Sequence, residues 1–542
     1  MKIALVQAAF NEGDFGNNTS VIIKNIRKAA INGADLVVFP ELALSGGYVG
    51  DMADYDHFRE SNLDALNTIA SECLDIAAVV GCYIPTEQVM AKPYYNAAAF
   101  IANGKVQQII AKTILNDSDI SEESRHFEPN TNFSTCSHNG KSFAIVLSDD
   151  ITIPALSSEF SINPMDEIAG KKPDFALCIG AIPFDYNQRE IRQTVVSSNA
   201  ARYEIPFFFV NHVGGHANII YDGGSMVANA SGEIVCEMAY FKNDVAILEL
   251  HDIKNGKLTE IELTHSSKID RIYAAITMGL RDYFNRSGFT KAVLGLSGGI
   301  DSAVVATLAV DVLGKENVMG VLMPSEFSSD HSVKDAEELA KNLGIEYDIV
   351  PIKSAYDTYM NLFEPRWNGM PFDVTEENLQ ARIRAVIVMS YSNKFKAMLI
   401  NTSNKSEAAV GYGTMYGDLC GGISAIGDLY KTQVYELANY LNRDKVRIPL
   451  NTITKAPSAE LRPGQKDSDS LPDYPVLDKL LFAHLEGKSN AEQLLAMGFD
   501  QTVVNKVLRL IRLNEYKRLQ CPPIIRVSTC AFGHGRRFPA VW

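Results

Sequence analysis

No two cysteines in this chain stand at a metal-binding or redox spacing. The eight that it has, at 73, 82, 136, 178, 236, 420, 521 and 530, are scattered. That excludes a CxxC or zinc framework and fits a reduced, cytoplasmic chain better than a disulfide scaffold. Positive charge is not in excess either. Lys and Arg number 50 against 65 Asp and Glu, a net charge of −15, which argues against a general nucleic-acid binder. There is no uninterrupted apolar run long enough to cross a membrane, no internal repeat and no low-complexity segment. The opening Met1-Lys2-Ile3-Ala4-Leu5-Val6-Gln7 is broken at Gln7 and followed by Asn11-Glu12-Gly13-Asp14. It reads as a first strand rather than a signal peptide. What remains is globular material, 46% apolar over 542 residues, a length that predicts more than one domain.

Apolar strands recur up to about residue 250. They are read at Ile3–Val6, Leu36–Phe39, Ala77–Val80, Ala97–Ile101, Phe143–Leu147, Phe175–Ile179, Phe207–Val210, Ser225–Ala228 and Val245–Leu248. Helical stretches such as Ser20–Asn32 separate some of them, and hairpin signals (Asn103-Gly104, Ser231-Gly232) lie between others. The mixture predicts an αββα sandwich over residues 1–250. A polar stretch follows, read as a linker over 251–264. From 265 to 542 a second unit begins with clear β-α-β alternation: strands 292–296, 318–322, 347–352 and 397–401, helices 301–313, 332–342 and 375–393. Such alternation predicts a doubly wound parallel sheet covered by helices.

The most informative string opens that second unit: Gly295-Leu296-Ser297-Gly298-Gly299-Ile300-Asp301-Ser302, directly after an apolar strand. Glycines let the backbone turn sharply and approach a ligand. The free N–H groups of a helix start bind anions. Ser297 and Ser302 add hydroxyls, and Asp301 sits where a carboxylate could hold the Mg²⁺ that accompanies a polyphosphate. An ordinary strand-turn-helix corner is the plain alternative. The string lacks the Gly-x4-Gly-Lys-Ser/Thr pattern. It resembles instead the SGG[IV]DS loop of enzymes that cleave ATP to AMP and pyrophosphate.

Further strings follow: Asn378-Leu379-Gln380-Ala381-Arg382-Ile383-Arg384, Asn401-Thr402-Ser403-Asn404-Lys405-Ser406-Glu407, Tyr412-Gly413-Thr414-Met415-Tyr416-Gly417-Asp418, Pro457-Ser458-Ala459-Glu460 and Glu515-Tyr516-Lys517-Arg518. Singly they have plain explanations. Arg382 and Arg384 could decorate a solvated helix face, and Glu407 could cap a helix. Together they closely resemble the synthetase domain of NAD⁺ synthetases, and the whole chain resembles the two-domain, glutamine-dependent type. The resemblance implies ATP-dependent amidation of nicotinic acid adenine dinucleotide to NAD⁺ through an adenylated intermediate. It implies ATP phosphates on Gly295–Ser302, Mg²⁺ on Asp301 and Glu407, and ATP contacts from Thr402, Lys431 and Ser458. Asn378, Arg382, Glu407 and Lys517 would hold the dinucleotide, with Lys517 opposing charge on the acyl-phosphate. It also implies a homo-oligomer. No RNA-binding module and no thiolation cysteine pair accompanies the loop, which disfavours other AMP-forming enzymes.

The first half resembles nitrilase-type amidases, which place a general-base Glu and a Lys at strings like Phe39-Pro40-Glu41-Leu42 and around Lys112. The third catalytic residue of such enzymes is a cysteine, and here the aligned position is Ser148, in Leu147-Ser148-Asp149-Asp150. A thiol is ionised by a nearby carboxylate far more readily than a hydroxyl. Other aligned positions also depart from the family: Ser118 for its tyrosine, Ile182 for its serine and Gln188 for its lysine. A single Cys-to-Ser exchange made to trap a substrate would leave these three unchanged. The expectation is a glutaminase frame with its chemistry lost, and free ammonia as the nitrogen source. The alternatives are a compensating nucleophile such as Cys178, with glutamine still used, or a regulatory subunit in which both halves are degenerate.

Overall fold

The computed structural model of the protein describes residues 1–86, 91–117, 120–152, 163–216, 219–254, 267–533, 535–536 and 538–541. The chain divides into two compact units, one made of Met1–His216 and Ile220–Ser266, the other of Ala217–Ile219 and Ser267–Trp542.

The first unit is the expected αββα sandwich. One six-stranded sheet runs in the order Asp244–Glu249, Lys2–Gln7, Leu36–Val38, Ala77–Pro85, Tyr94–Ala102, Lys105–Ala111. The other runs Ile234–Glu237, Met226–Ala228, Phe207–Val210, Phe175–Ile179, Lys141–Leu147, Cys136–His138. Leu5, Val38, Val79, Leu147, Leu177 and Val210 share one core. Their neighbours Ala4 and Val37 turn the other way, onto Ile22 and Ile26 of helix Phe15–Ile31 and Ile69 of helix Asp56–Glu72. Val146 and Cys178 turn onto Val196 and Ala200 of helix Gln188–Tyr203. Both faces of these strands are buried, which is why they read as unbroken apolar runs rather than alternating ones.

Some boundaries differ from the sequence reading. The strand expected at Ala77–Val80 continues to Pro85 because it pairs antiparallel with Tyr94–Ala102, from Ala78↔Ile101 to Pro85↔Tyr94. Ladder hydrogen bonds carry it through Gly81, where local propensity would stop it. Leu250–Lys254 forms a short helix, and its Leu250 and Ile253 join the core. Residues 255–264 of the expected linker lie outside the described residues, as does Ser118.

The second unit contains a five-stranded parallel sheet in the order Glu346–Ile349, Val318–Leu322, Ala292–Gly295, Met398–Asn401, Ile423–Ser424. The order reverses between Ala292–Gly295 and Met398–Asn401, so the carboxyl ends of those two strands open the crevice where such sheets bind ligands. The strand expected over 347–352 is Glu346–Ile349; it is an edge strand, and Glu346, Asp348 and Ile349 are exposed. Beyond Ser424 the βα alternation gives way to helices. Tyr474–Leu485 and Gln501–Leu513 pack Leu477, Leu481, Val504, Val507 and Ile511 against Ala409 and Val410. All eight cysteines are free thiols. Among the described residues no helix is long and apolar enough to cross a membrane.

Candidate functional site

In the second unit a cavity of about 350 Å³ lies at the reversal point of the sheet, within the range of nucleotide-sized sites. Gly295, Leu296, Ser297, Gly299, Ile300, Asp301 and Ser302 line it, with Thr402, Glu407, Lys431 and Ser458. Helix Ile300–Leu313 starts at Gly299 without a side-chain cap, and Asp301 lies in its first turn. Its leading amides are therefore available to an anion. The loop is tied to itself. Ser297 Oγ accepts from Gly299 N at 3.2 Å and lies 3.1 Å from Ser302 Oγ, and Ser302 Oγ donates to Gly299 O at 3.0 Å.

Gly298 has φ +76°, and a Cβ there would sit 2.2 Å from the Ser332 carbonyl oxygen. Gly298→Ala is therefore expected to destabilise the second unit by about 1–3 kcal/mol and to weaken ATP binding. Denaturation monitored by tryptophan fluorescence, together with calorimetric ATP titration, checks this; an unchanged ATP affinity would mean that the corner does not hold the phosphates.

One lysine neutralises two carboxylates at the cavity wall. Lys431 Nζ bonds Asp301 Oδ2 and, at 3.1 Å, Glu407 Oε1. Asn404 Nδ2 holds the other Asp301 oxygen at 2.9 Å. Glu407 also completes a capping box with Asn404 at the start of helix Lys405–Val410, so the capping reading and the cavity position hold together. Burial, reinforced by Asp301, pushes the Glu407 carboxyl up to about 7 against the pull of Lys431. Burial works to lower the Lys431 ammonium, but Asp301 and Glu407 hold it well above its ordinary value. Two carboxylates on one lysine form a hard oxygen donor set suited to Mg²⁺.

Asn378, Arg382 and Lys517 do not line this cavity. They converge instead on one segment beside it. Lys517 Nζ donates to the carbonyls of Gly411 and Gly413 at 2.8 and 2.9 Å. Asn378 Oδ1 accepts from Thr414 Oγ1 at 2.7 Å, and Arg382 Nε donates to Met415 O at 3.3 Å. Arg382 is exposed, in keeping with a solvated helix face, but Arg384 is not so placed. It lines the cavity, donates to Met323 O at 3.0 Å, and burial lowers its guanidinium to about 10. Lys455, bonded to Asp335 at 2.9 Å, is a second cavity cation that sequence reading missed.

The first unit gathers Glu41, Lys112 and Ser148, each just beyond a strand end. Ser148 Oγ donates to Glu41 Oε2 and accepts from Ala181 N at 3.0 Å. Ser148 has φ +29°, a strained value for a non-glycine residue that occurs at functional corners. Lys112 Nζ lies 3.2 Å from Glu41 Oε1, 2.8 Å from Glu123 Oε1 and 2.7 Å from Asp149 Oδ2. Burial opposes its charge, yet Asp149, Glu123 and Glu41 hold it well above the ordinary lysine value. Asn96 Nδ2 bridges Glu41 and Glu123 at 2.6 and 3.2 Å. Sequence reading missed Glu123, Asp149 and Asn96; only their convergence on Lys112 marks them. Cys178 is fully buried in the outer core, and burial raises its thiol well above the usual value, so it offers no replacement thiolate. Ile182 contributes only backbone polar groups, bonded to Asn211 at 2.9 and 3.2 Å. Gln188 begins helix Gln188–Tyr203.

Burial and then, beyond the opposing Lys112, the Glu41 and Asp149 charges push the Glu123 carboxyl up to about 7. A carboxyl whose folded pKa is raised favours the folded state below its unfolded pKa, and that benefit is lost as pH rises towards 7. Hydrogen exchange at Lys141–Leu147 should therefore accelerate between pH ~5 and ~8 beyond the intrinsic rate. In Glu123→Gln the extra acceleration should disappear; its persistence would place the titrating group elsewhere.

An amidase-like sandwich joined in one chain to a doubly wound domain with a cavity at the reversal point of its sheet is the architecture of a carbon–nitrogen ligase. The carbon–nitrogen hydrolase family matches residues 2–166 and the NAD synthase family residues 272–521. The glutamine-dependent NAD(+) synthetase of Synechocystis sp. is 38% identical, covering 99% of this chain and 98% of its own length. That of Acinetobacter baylyi is 36% identical over 100% and 98%. The solved structure of glutamine-dependent NAD+ synthetase from Acinetobacter baumannii, in complex with ADP, is similar with a TM-score of 0.79 at 34% identity, covering 99% and 98% of the two chains. This chain belongs to the glutamine-dependent NAD(+) synthetase family.

Proposed function

We propose that the protein makes NAD⁺ from nicotinic acid adenine dinucleotide and ATP, and that it takes its nitrogen from free ammonia. The cavity at Gly295–Ser302 carries the first half of this reading; the replacement of the nucleophilic thiol by Ser148 carries the second. ATP would lie with its phosphates on the amides of the corner. Mg²⁺ held by Asp301 and Glu407 would neutralise phosphate charge as the pyrophosphate leaves. Lys431, Arg384 and Lys455 bring further positive charge to the cavity wall. A carboxylate is a poor acyl donor, so its adenylation creates the leaving group that ammonia displaces. Catalysis of that kind is alignment plus charge stabilisation and needs no covalent nucleophile. Thr402 and Ser458 line the same cavity and would contact the bound ATP. Asn378, Arg382 and Lys517, which hold Gly411–Met415 beside the cavity, would set the dinucleotide against it. The similarity to a solved relative in complex with ADP supports the nucleotide assignment.

Glutamine hydrolysis is disfavoured by three observations together. The nucleophile is a hydroxyl bonded to a carboxylate, Ile182 presents no side-chain donor, and Cys178 is sealed in the core. The test is pyrophosphate release. Adenylation alone should release at most one equivalent from dinucleotide and ATP, and continued release should require ammonium as well; release that is independent of the dinucleotide, or absent altogether, would favour a regulatory subunit instead.

A further inference from the structure

The short turn Gly50–Asp54 and the short helix Glu123–His126 bring Asp51, Asp54 and His126 together in the first unit. One ligand atom from each lies within 4.8 Å of the others. The two carboxylates are exposed, with 72% and 53% of their side chains accessible, whereas the His126 side chain is 2% exposed. Acidic side chains on a surface mean little by themselves. The buried imidazole is the observation that points to a ligand.

His126 Nδ1 lies 2.9 Å from Tyr48 Oη, and Tyr48 Oη is 3.1 Å from the carbonyl of Glu122. A carbonyl only accepts, so the single Tyr48 proton goes to Glu122 O. The Tyr48 oxygen must then accept from His126 Nδ1–H. This fixes the neutral ring in the tautomer with its lone pair on Nε2. That nitrogen is buried and has no hydrogen-bond partner among the described residues. Asp54 Oδ1 is 3.2 Å away but is not aligned for a hydrogen bond. A lone pair facing a carboxylate is repulsive unless a proton or a cation lies between them. About 3.3 Å is also the separation of two neighbouring ligand atoms in a tetrahedral shell at about 2.0 Å from its metal. The outer hydrogen bond of His126 supplies the orienting contact that metal-bound histidines have.

We infer that Asp51, Asp54 and His126 form a binding site for a divalent transition cation of the Zn²⁺ class. Imidazole favours Zn²⁺ over Mg²⁺ or Ca²⁺. Asp51 shares its carboxylate with Arg125, whose Nη2 is 2.6 Å from Oδ1, so the second oxygen is the one available to metal. A water would complete the shell. The bound cation would pin Gly50–Asp54 to the helix that carries Glu123, the residue bonded to Lys112. The site is separate from the ATP cavity and does not depend on how the ligase obtains its nitrogen.

The test uses the full chain, stripped with chelator and reloaded with ZnCl₂, followed by desalting and metal analysis. The wild type should retain one Zn²⁺ more per chain than D51N/D54N, whose exposed substitutions spare the fold, and Mg²⁺ should not displace that equivalent. H126Q should match the double variant. Co²⁺ in place of Zn²⁺ should give visible d–d absorption in the wild type that the variants lack. Equal zinc retention by all three proteins, or easy displacement by Mg²⁺, would overturn the site and leave His126 as an ion-pair partner of Asp54. Subtracting the variants also removes any zinc bound at Asp301 and Glu407, so this outcome is independent of ligase activity.

Discussion

With ammonium as the only nitrogen source, the purified protein should convert nicotinic acid adenine dinucleotide to NAD⁺. With glutamine alone, turnover should be lower by on the order of 10³-fold or more, the scale on which losing a hydrolase's nucleophile lowers rate. The reason lies in what surrounds Ser148. Its hydroxyl already donates to Glu41, and Glu41 is also bonded to Asn96 and paired with Lys112. A carboxylate is a weak base for a hydroxyl, which usually needs a histidine-type partner. Ser148→Cys should not by itself restore glutamine use. The resemblance puts Ile182 and Gln188 at the positions that would grip glutamine, and unpaired charges on a bound amino acid cost on the order of 2–5 kcal/mol. Coupled detection of NAD⁺ with each nitrogen source measures this directly. Comparable rates with glutamine and ammonium would sink the proposed loss of glutaminase chemistry while leaving the ligase assignment intact.

Lys431→Met should all but abolish pyrophosphate release, by about 10²–10³-fold. It should also destabilise the second unit by about 3–5 kcal/mol, the usual cost of removing one partner from a buried ion pair. Lys431 is 3% exposed and is the shared counter-ion of Asp301 and Glu407, whose side chains are 18% and 17% exposed. Without it, two facing carboxylates remain unneutralised, and the Glu407 carboxyl is already pushed up by burial. Excess Mg²⁺ should recover part of the stability, because a divalent cation can replace the missing charge between the same oxygens. Single-turnover pyrophosphate assays and thermal melts with and without Mg²⁺ read both effects. A variant that melts like the parent and keeps its rate would remove Lys431, and with it the Asp301–Glu407 pair, from the ligase site.

The sequence by itself determined the parts whose physics is local. The corner Gly295–Ser302 is legible because a strand, a glycine at φ +76° and an uncapped helix start are encoded within a dozen residues. The double burial of the sandwich strands is legible because it demands unbroken apolar runs. Tertiary structure alone decided which polar residues meet. Glu41 and Ser148 are 107 residues apart, Asn96 and Glu41 are 55 apart, and no periodicity connects them. Glu123 reads as an unremarkable acid until folding brings it 2.8 Å from Lys112. Arg384 reads as solvated until the sheet's reversal point turns its face of helix Val374–Phe395 into a cavity wall. Local propensity chooses backbone shape over a few residues. Charge clusters depend on desolvation and on distances between chain segments, and only the packed core sets those.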